Sequence, residues 1–235
     1  MRFSLPIAVL FISVVFSSCQ KEFSVDSNPL LGGGTGVVGS STNNGCKDCI
    51  YNPMCSGSVY KYSDTSAGSS TATSSAYTLT YIKDTSIESK TYKKFAGFGQ
   101  QNGFLNCTAG ESTTIVLNGS TQGGILLPYV KITTLKENAA IGSPWKDTIT
   151  ANGQDAIYNF TIVSKGMPKT VVGNTYTDVI HVHEQTTIDL LGTVIPAGQS
   201  EYYFARGIGL IESISIDDFT GIQILHHVLI SASIP

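Results

Sequence analysis

From about residue 59 to the last residues, this chain is built of short runs in which every second side chain is apolar or aromatic. Gly, Asn, Ser or Pro cuts off each run. Val59-Tyr60-Lys61-Tyr62 and Tyr77-Thr78-Leu79-Thr80-Tyr81 show the pattern most plainly. Successive side chains of an extended backbone point to opposite faces, so this alternation marks half-buried antiparallel strands. No segment sustains a helical period. Charged residues make up 13% of the chain, about half the usual globular share, while Thr, Ser, Gly and Tyr are plentiful, a composition that suits strands and turns.

The runs fall into two series. The first comprises the two above, separated by a polar loop over Ser63–Ser75, and then Thr91–Phe98, Gly103–Ala109, Thr113–Leu117 and Ile125–Leu135. Pro128 lacks a ladder donor and argues for an edge or a bulge in the last of these. A break at Gly142-Ser143-Pro144-Trp145 precedes Thr148–Thr150, Ile157–Val163, Thr170–Val172, Tyr176–Gln185, Thr187–Leu191, Glu201–Ala205, Ile208–Ile216 and Ile222–Ala232. The corner Arg206-Gly207-Ile208-Gly209 supplies residues that accept positive φ, so a tight hairpin or bulge is expected there. Residues 77–95 also line up with 158–180: each runs strand, polar turn, then a Thr-Tyr pair opening the next strand. Residues 103–117 parallel 199–214 in the same way. The expected fold is all-β, one curved antiparallel sheet made of two related meanders, with closure into a half-barrel or barrel left open.

The start of the chain has a different character. Arg2 is followed by an apolar run, Leu5–Phe16, too short for a permanent span, which needs ~20 residues. Ser17-Ser18-Cys19 then resembles a bacterial lipobox, with Phe16 where that motif prefers Leu. The resemblance implies a signal peptide over residues 1–18, removed ahead of Cys19, and lipid attachment (palmitate-type acyl chains) at the Cys19 thiol and amine. Each buried acyl CH₂ contributes ~0.8 kcal/mol, and a stable anchor takes more than one chain. Gln20-Lys21-Glu22 is similar to the charged tag that sends some lipoproteins of the Bacteroidota to the outer face of the outer membrane. The expected location is therefore the cell envelope, on the outer membrane, facing either the periplasm or the surface.

Residues 19–45 hold Cys19 and a Gly/Ser/Asn-rich stretch that cannot bury enough apolar surface to order itself, and read as a flexible tether. Residues 46–235 read as a single β-domain. Cys46, Cys49, Cys55 and Cys107 remain after the anchor, an even number in an exported protein, which suggests two disulfides. Several pairings are possible; one that ties Cys55 or Cys49 to Cys107 would fasten the first strand to the middle of the sheet. Removing Arg2 leaves 13 basic against 17 acidic residues, or −4 with the amine acylated, which gives no basic face for nucleic acid.

Tyr202-Tyr203-Phe204-Ala205-Arg206-Gly207-Ile208-Gly209-Leu210-Ile211 resembles a Tyr-Phe-Ala-x-Gly-Val-Gly segment of Bacteroidota cell-envelope lipoproteins that carry a large antiparallel β-sheet. Cys46–Tyr62 is similar to the opening of such domains. The resemblance covers about a fifth of the chain, implies fold and address, and brings no reaction with it.

Candidate chemistry centres on histidine. His181 and His183 are two apart on an expected strand, so both imidazoles face one way, and His226 on the last strand could supply a third ligand to a divalent metal. His-x-His with the later Pro196-Ala197-Gly198 is similar to the cupin pattern, but Glu184 is adjacent to His183 and faces the other way, and Glu201 stands where cupins place a further histidine. Read without a metal, Tyr176, Ile180 and Val182 mark the buried face of the strand, leaving the two histidines opposite. His226 shares an apolar face with Ile224 and Val228, where a hydrogen-bonded core histidine would be ordinary. Trp145 and the tyrosines could stack on a ligand, although aromatics on sheet faces are more often core. No nucleophile elbow or phosphate loop is present, and no cofactor is implied. The reading that results is an anchored, non-catalytic binding or carrier domain for an apolar or glycan ligand or a protein partner. A cupin-like metal enzyme and a structural surface subunit are the alternatives.

Overall fold

The computed structural model describes residues 37–38, 49–66, 73–98, 101–116, 121–122, 125–126, 130–151, 154–190 and 192–235. Cys19, Cys46 and Pro128, with the expectations attached to them, lie outside the described residues. The strands are β1 (Val37–Val38), β2 (Val59–Ser66), β3 (Thr73–Ile87), β4 (Lys90–Phe98), β5 (Gln101–Thr108), β6 (Glu111–Val116), β7 (Thr121–Gln122) and β8 (Ile125–Leu126). They continue with β9 (Val130–Lys136), β10 (Pro144–Ala151), β11 (Gln154–Val171), β12 (Asn174–Leu190), β13 (Thr193–Ala205), β14 (Gly209–Asp217) and β15 (Gln223–Ser233). Helix is absent among the described residues.

Twelve strands form one antiparallel sheet in the order β10-β11-β12-β13-β14-β15-β2-β3-β4-β5-β6-β9, with β1 pairing in parallel to β12 and β7–β8 forming a small separate hairpin. The order is two six-stranded meanders in tandem. The last strand of the second, β15, pairs with the first strand of the first, β2. At the other junction the sheet curls until its end strands approach: the Trp145 indole N–H donates to the Thr133 carbonyl at 2.7 Å, and the Thr133 N–H donates to the Asp147 carboxylate at 2.5 Å. The sheet is thus nearly closed into a barrel, and Trp145 is a seam residue, its ring stacked on Phe160 with centroids 5.3 Å apart.

The repeat seen in the sequence is the two long hairpins. β3–β4 turns at Glu88-Ser89 and β11–β12 at Val172-Gly173, and in both turns the two residues have positive φ, the mirror-image turn whose twist suits a two-residue hairpin. Thr91-Tyr92 and Thr175-Tyr176 follow these turns, and both tyrosines are buried. Gly207 and Gly209 take positive φ at the β13–β14 corner as the sequence suggested.

Several boundaries differ from the sequence reading. β2 and β3 run into the polar stretch expected as a loop, leaving only 67–72 between them. Residues 164–169, expected as a turn, lie inside the continuous β11, where three register irregularities between Ile162 and Lys169 absorb Gly166 and Pro168. β12 likewise runs unbroken through Thr186 and Thr187, and Pro196-Ala197-Gly198 sits within β13 at an irregularity opposite that pair. Bulges let Gly and Pro stay in a strand that a turn-based reading would cut.

The segment 49–57 crosses the end of the sheet where β5 meets β6 and β13 meets β14. Cys49 is disulfide-bonded to Cys107 at the end of β5. The Asn52 side chain donates to Ser112 Oγ at 2.6 Å, the Tyr51 N–H to Glu137 at 3.0 Å and the Tyr51 hydroxyl to Asp178 at 2.7 Å. Gly207 N–H donates to the Ile50 carbonyl at 2.7 Å. Burial and the Asp178 carboxylate push the Tyr51 hydroxyl up to about 12. Cys55 is also disulfide-bonded. The core packs mainly as two clusters, one around Tyr60, Tyr62, Phe95 and Ile211, the other around Phe160, Ile162, Ile180 and Phe204.

Candidate functional site

Register decides which side chains meet. His183 lies opposite Glu201, Glu201 opposite Ile214, and Ile214 opposite His226; two residues along, His181, Tyr203, Glu212 and Val228 form a parallel row. Directly paired residues share a face, so all of these side chains stand on one face of β12–β15. The His-x-His spacing puts both imidazoles on one carboxylate: His181 Nε2 is 2.5 Å from Glu201 Oε2, and His183 Nδ1 is 2.8 Å from Oε1. The His181 ring stacks on Tyr203, centroids 4.4 Å apart and 13° between planes. Lys169 Nζ lies 3.9 Å from the centroid of Tyr203 on the next part of that face and 2.6 Å from Glu212 Oε2. His226 Nε2 holds the other Glu212 oxygen at 2.9 Å.

Lys169 belongs to β11, three strands from β14. At ~4.8 Å per strand that is roughly 14 Å in a flat sheet, beyond the reach of a lysine. The irregularities of β11 bend the β11–β12 hairpin over this face and bring the amine across. Burial alone would raise the Glu201 and Glu212 carboxyls. Hydrogen bonds from His181 and His183 in one case, and from Lys169 and His226 in the other, outweigh it and hold both below the usual carboxylate value.

The opposite face carries a second row: Val182, Tyr202, Ser213, His227 and Asp64 lie side by side across β12, β13, β14, β15 and β2. His227 Nδ1 is 2.5 Å from Asp64 Oδ1, with the Tyr77 hydroxyl 3.2 Å from the same nitrogen. Its ring stacks on Tyr62 at 4.2 Å. Next to this row Glu184, 4% exposed, accepts hydrogen bonds from the hydroxyls of Tyr202 and Thr186, both at 2.7 Å. Here burial outweighs those bonds, and the Glu184 carboxyl is raised. All four histidines of the chain therefore lie against a carboxylate.

His181 and His183 face away from Ile180 and Val182, as the sequence reading required. His226 does not join them: it lies three strands from His183, and its partner is Glu212. The expected three-histidine set is thereby corrected, and among the described residues no three His, Cys, Asp or Glu side chains converge as a metal site. The buried histidine is His227, 7% exposed, rather than His226, because the strand pairing turns odd positions of β15 to the core. Trp145 packs in the seam instead of presenting its ring as a platform. Sequence reasoning noted Glu201 but could not pair it, and it missed Lys169, Tyr203, Glu212 and Asp64 as site residues. The one signal available was the placement of Glu201 after Pro196-Ala197-Gly198.

The fold and its clusters define an all-β, disulfide-braced domain whose ionisable groups are paired across strands. No protein-family model matches the chain. No curated protein matches it. Among solved structures it is similar to a protein assigned as a lipoprotein from Parabacteroides distasonis, at 12% identity and TM-score 0.49, over 80% of this chain and all of that one. It is also similar to an exported protein with a YmcC-like fold from Bacteroides fragilis, at 11% identity and TM-score 0.46, over 79% and 99%. A domain of an outer membrane lipoprotein-sorting protein from Vibrio parahaemolyticus matches at 10% identity and TM-score 0.33, over 78% and 87%. Similarity at this level says nothing of ligand or activity.

Proposed function

We propose that this protein is an exported lipoprotein, anchored to the outer membrane through Cys19, whose β-domain works by binding rather than by catalysis. One observation carries the second half: the side chains with the most chemistry to offer are engaged with one another. Glu201 is taken by two imidazoles, Glu212 by an amine and an imidazole, and Asp64 by His227. Charges held this way fix the mutual position of neighbouring strands. The lipobox-like Phe16-Ser17-Ser18-Cys19 supports the first half. The bound species is an apolar or glycan molecule or an envelope protein.

Two measurements test this reading on the full chain made in a lipid-modifying host. Metabolic labelling with an alkyne fatty acid is expected to tag the wild type and to be lost in Cys19→Ala; equal labelling of the two would refute the anchor. Native mass spectrometry of the detergent-released protein is expected to show a mass above that of the acylated chain. A bare mass from fully folded protein would count against the carrier form of the idea.

A further inference from the structure

The lower half of the β11–β12 hairpin is an edge whose exposed side chains are uncharged. Ladder pairing between β10 and β11 ends at Pro144 and Thr161, and beyond it β11 pairs only with β12 among the described residues. Exposed edges are blunted by charged side chains, by proline and bulges, or by charges turned inward. Here both lysines turn in: Lys165 Nζ donates to the Glu137 carbonyl at 2.7 Å, and Lys169 lies on Glu212 and Tyr203. What faces outward along the edge is uncharged: Val163, Gly166, Met167, Pro168 and Thr170, then Val172-Gly173 at the tip. Met167 is 58% exposed, Val172 61%, and Ile141, in the loop beside Ile162, 62%.

Val172 adds a second, independent sign. It is β-branched, yet its φ is +48°, a left-handed conformation that is unfavourable for an ordinary L-residue and that Asn or Gly would take more easily. A strained residue kept apolar and exposed is a reason to look for function. Proline and the bulges deny the edge a regular ladder, so a partner strand is a poor occupant. A surface that asks for apolar contact without a hydrogen-bond register is a better one.

The chain itself points to which surface. β1 pairs Val37 with Thr175, two residues past the Val172-Gly173 turn, so the segment leading back to Cys19 joins the fold at this tip. Only seventeen residues, 20–36, separate Cys19 from β1 in the sequence. We propose that the free edge and tip of this hairpin, with Ile141, rest at the headgroup–acyl boundary of the bilayer that holds Cys19. Contact stops at that boundary, because the open backbone edge could not be satisfied in hydrocarbon. The proposal rests on the lipoprotein reading: with the anchor seventeen residues from β1 in the sequence, weak contacts at the tip suffice, because binding at a linked site is intramolecular.

The test uses the full lipidated chain on vesicles of phosphatidylethanolamine and phosphatidylglycerol. Val172→Cys, and Thr150→Cys on exposed β10 toward the opposite end of the strands, are each labelled with bimane. The probe at 172 is expected to shift to the blue on vesicles and to be quenched by brominated acyl chains at least twofold more than the probe at 150. Equal quenching at the two sites would overturn the proposal. So would a blue shift at 172 that precedes vesicle addition and accompanies a doubled mass, since a second copy would then cover the edge. Flotation of the same samples separates the two readings: a protein that does not float removes the anchor and the proposal together, whereas one that floats with equal quenching removes only the proposal. Met167→Ser combined with Val172→Asn, where Asn suits the turn and preserves the fold, is expected to make the region around 163–173 more accessible to hydrogen exchange on vesicles and to leave it unchanged in detergent.

Discussion

The two long hairpins share a turn and differ in nearly everything that faces water. The β3–β4 hairpin is laced with ion pairs: Lys93 with Asp84 at 3.0 Å and Glu88, in the turn itself, with Lys131 at 2.7 Å. The β11–β12 hairpin draws its lysines inward and leaves Met167 and Val172 outside. Both turns nevertheless take the same mirror-image conformation, and both are followed by a buried tyrosine. The internal repeat therefore constrains backbone path and buried positions, while the exposed positions of each copy answer to separate demands.

The largest expected effect tests how far the two meanders depend on each other. The Cys49–Cys107 bridge fastens the crossing segment to the first meander only, across a sequence separation of 58 residues. A loop of that length corresponds to about 4 kcal/mol of denatured-state entropy on the chain-entropy account. Cys49→Ser with Cys107→Ser is expected to lower unfolding free energy by about that amount in a denaturant titration. Hydrogen exchange should quicken in β3–β6 more than in β10–β13. Uniform quickening would show that the meanders unfold as one body.

Trp145→Phe comes next. It keeps the stack on Phe160 but removes the indole donor to Thr133, and is expected to cost about 1–2 kcal/mol. The loss should appear as faster exchange at β9 and β10 with the β15–β2 ladder unaffected, because one junction of the meanders rests on side chains and the other on a continuous ladder.

Exchanging the turns sharpens the comparison directly. Val172→Asn is expected to raise stability by about 1 kcal/mol through relief of the left-handed strain, and Glu88→Val to lower it by a similar amount. Thermal melts of the two variants would check the pair. A stabilised Val172→Asn that also weakens vesicle contact would show that the strain is kept for the contact.

Most of this architecture could be read from the chain, and the reason is the period of two. Tyr60, Tyr62 and Leu79 announce their strands because alternation is a local property. The tandem meanders could be read for the same reason, since Thr91-Tyr92 and Thr175-Tyr176 recur after equivalent turns. The ion-paired clusters were not legible. Glu201 meets His181 and His183 only because β12 and β13 pair in one register, and a shift of one residue would send Glu201 to the other face. Lys169 was hidden more deeply, since its contact depends on a bend produced by irregularities that the sequence presents as a turn.

The smallest expected effects separate the two faces of β12 and β13 by sign. Glu201 and Glu212 sit below the ordinary carboxylate value in the folded state. Each contributes stability that is present above that value and is lost as pH falls through the depressed one. Glu184 is raised by burial, so its contribution runs the other way: full below the ordinary value, and lost as pH rises through the raised one. Following the denaturation midpoint between about pH 3 and pH 8, Glu201→Gln should flatten the acid side of the stability profile, and so should Glu212→Gln, which also loses its Lys169 contact. Glu184→Gln should become progressively more stable than the wild type as pH rises. Glu184 and Glu201, on opposite faces of the β12–β13 pair, would then have linkage of opposite sign; parallel profiles for Glu184→Gln and Glu201→Gln would mean that burial and imidazole bonding do not divide the two faces as the geometry requires.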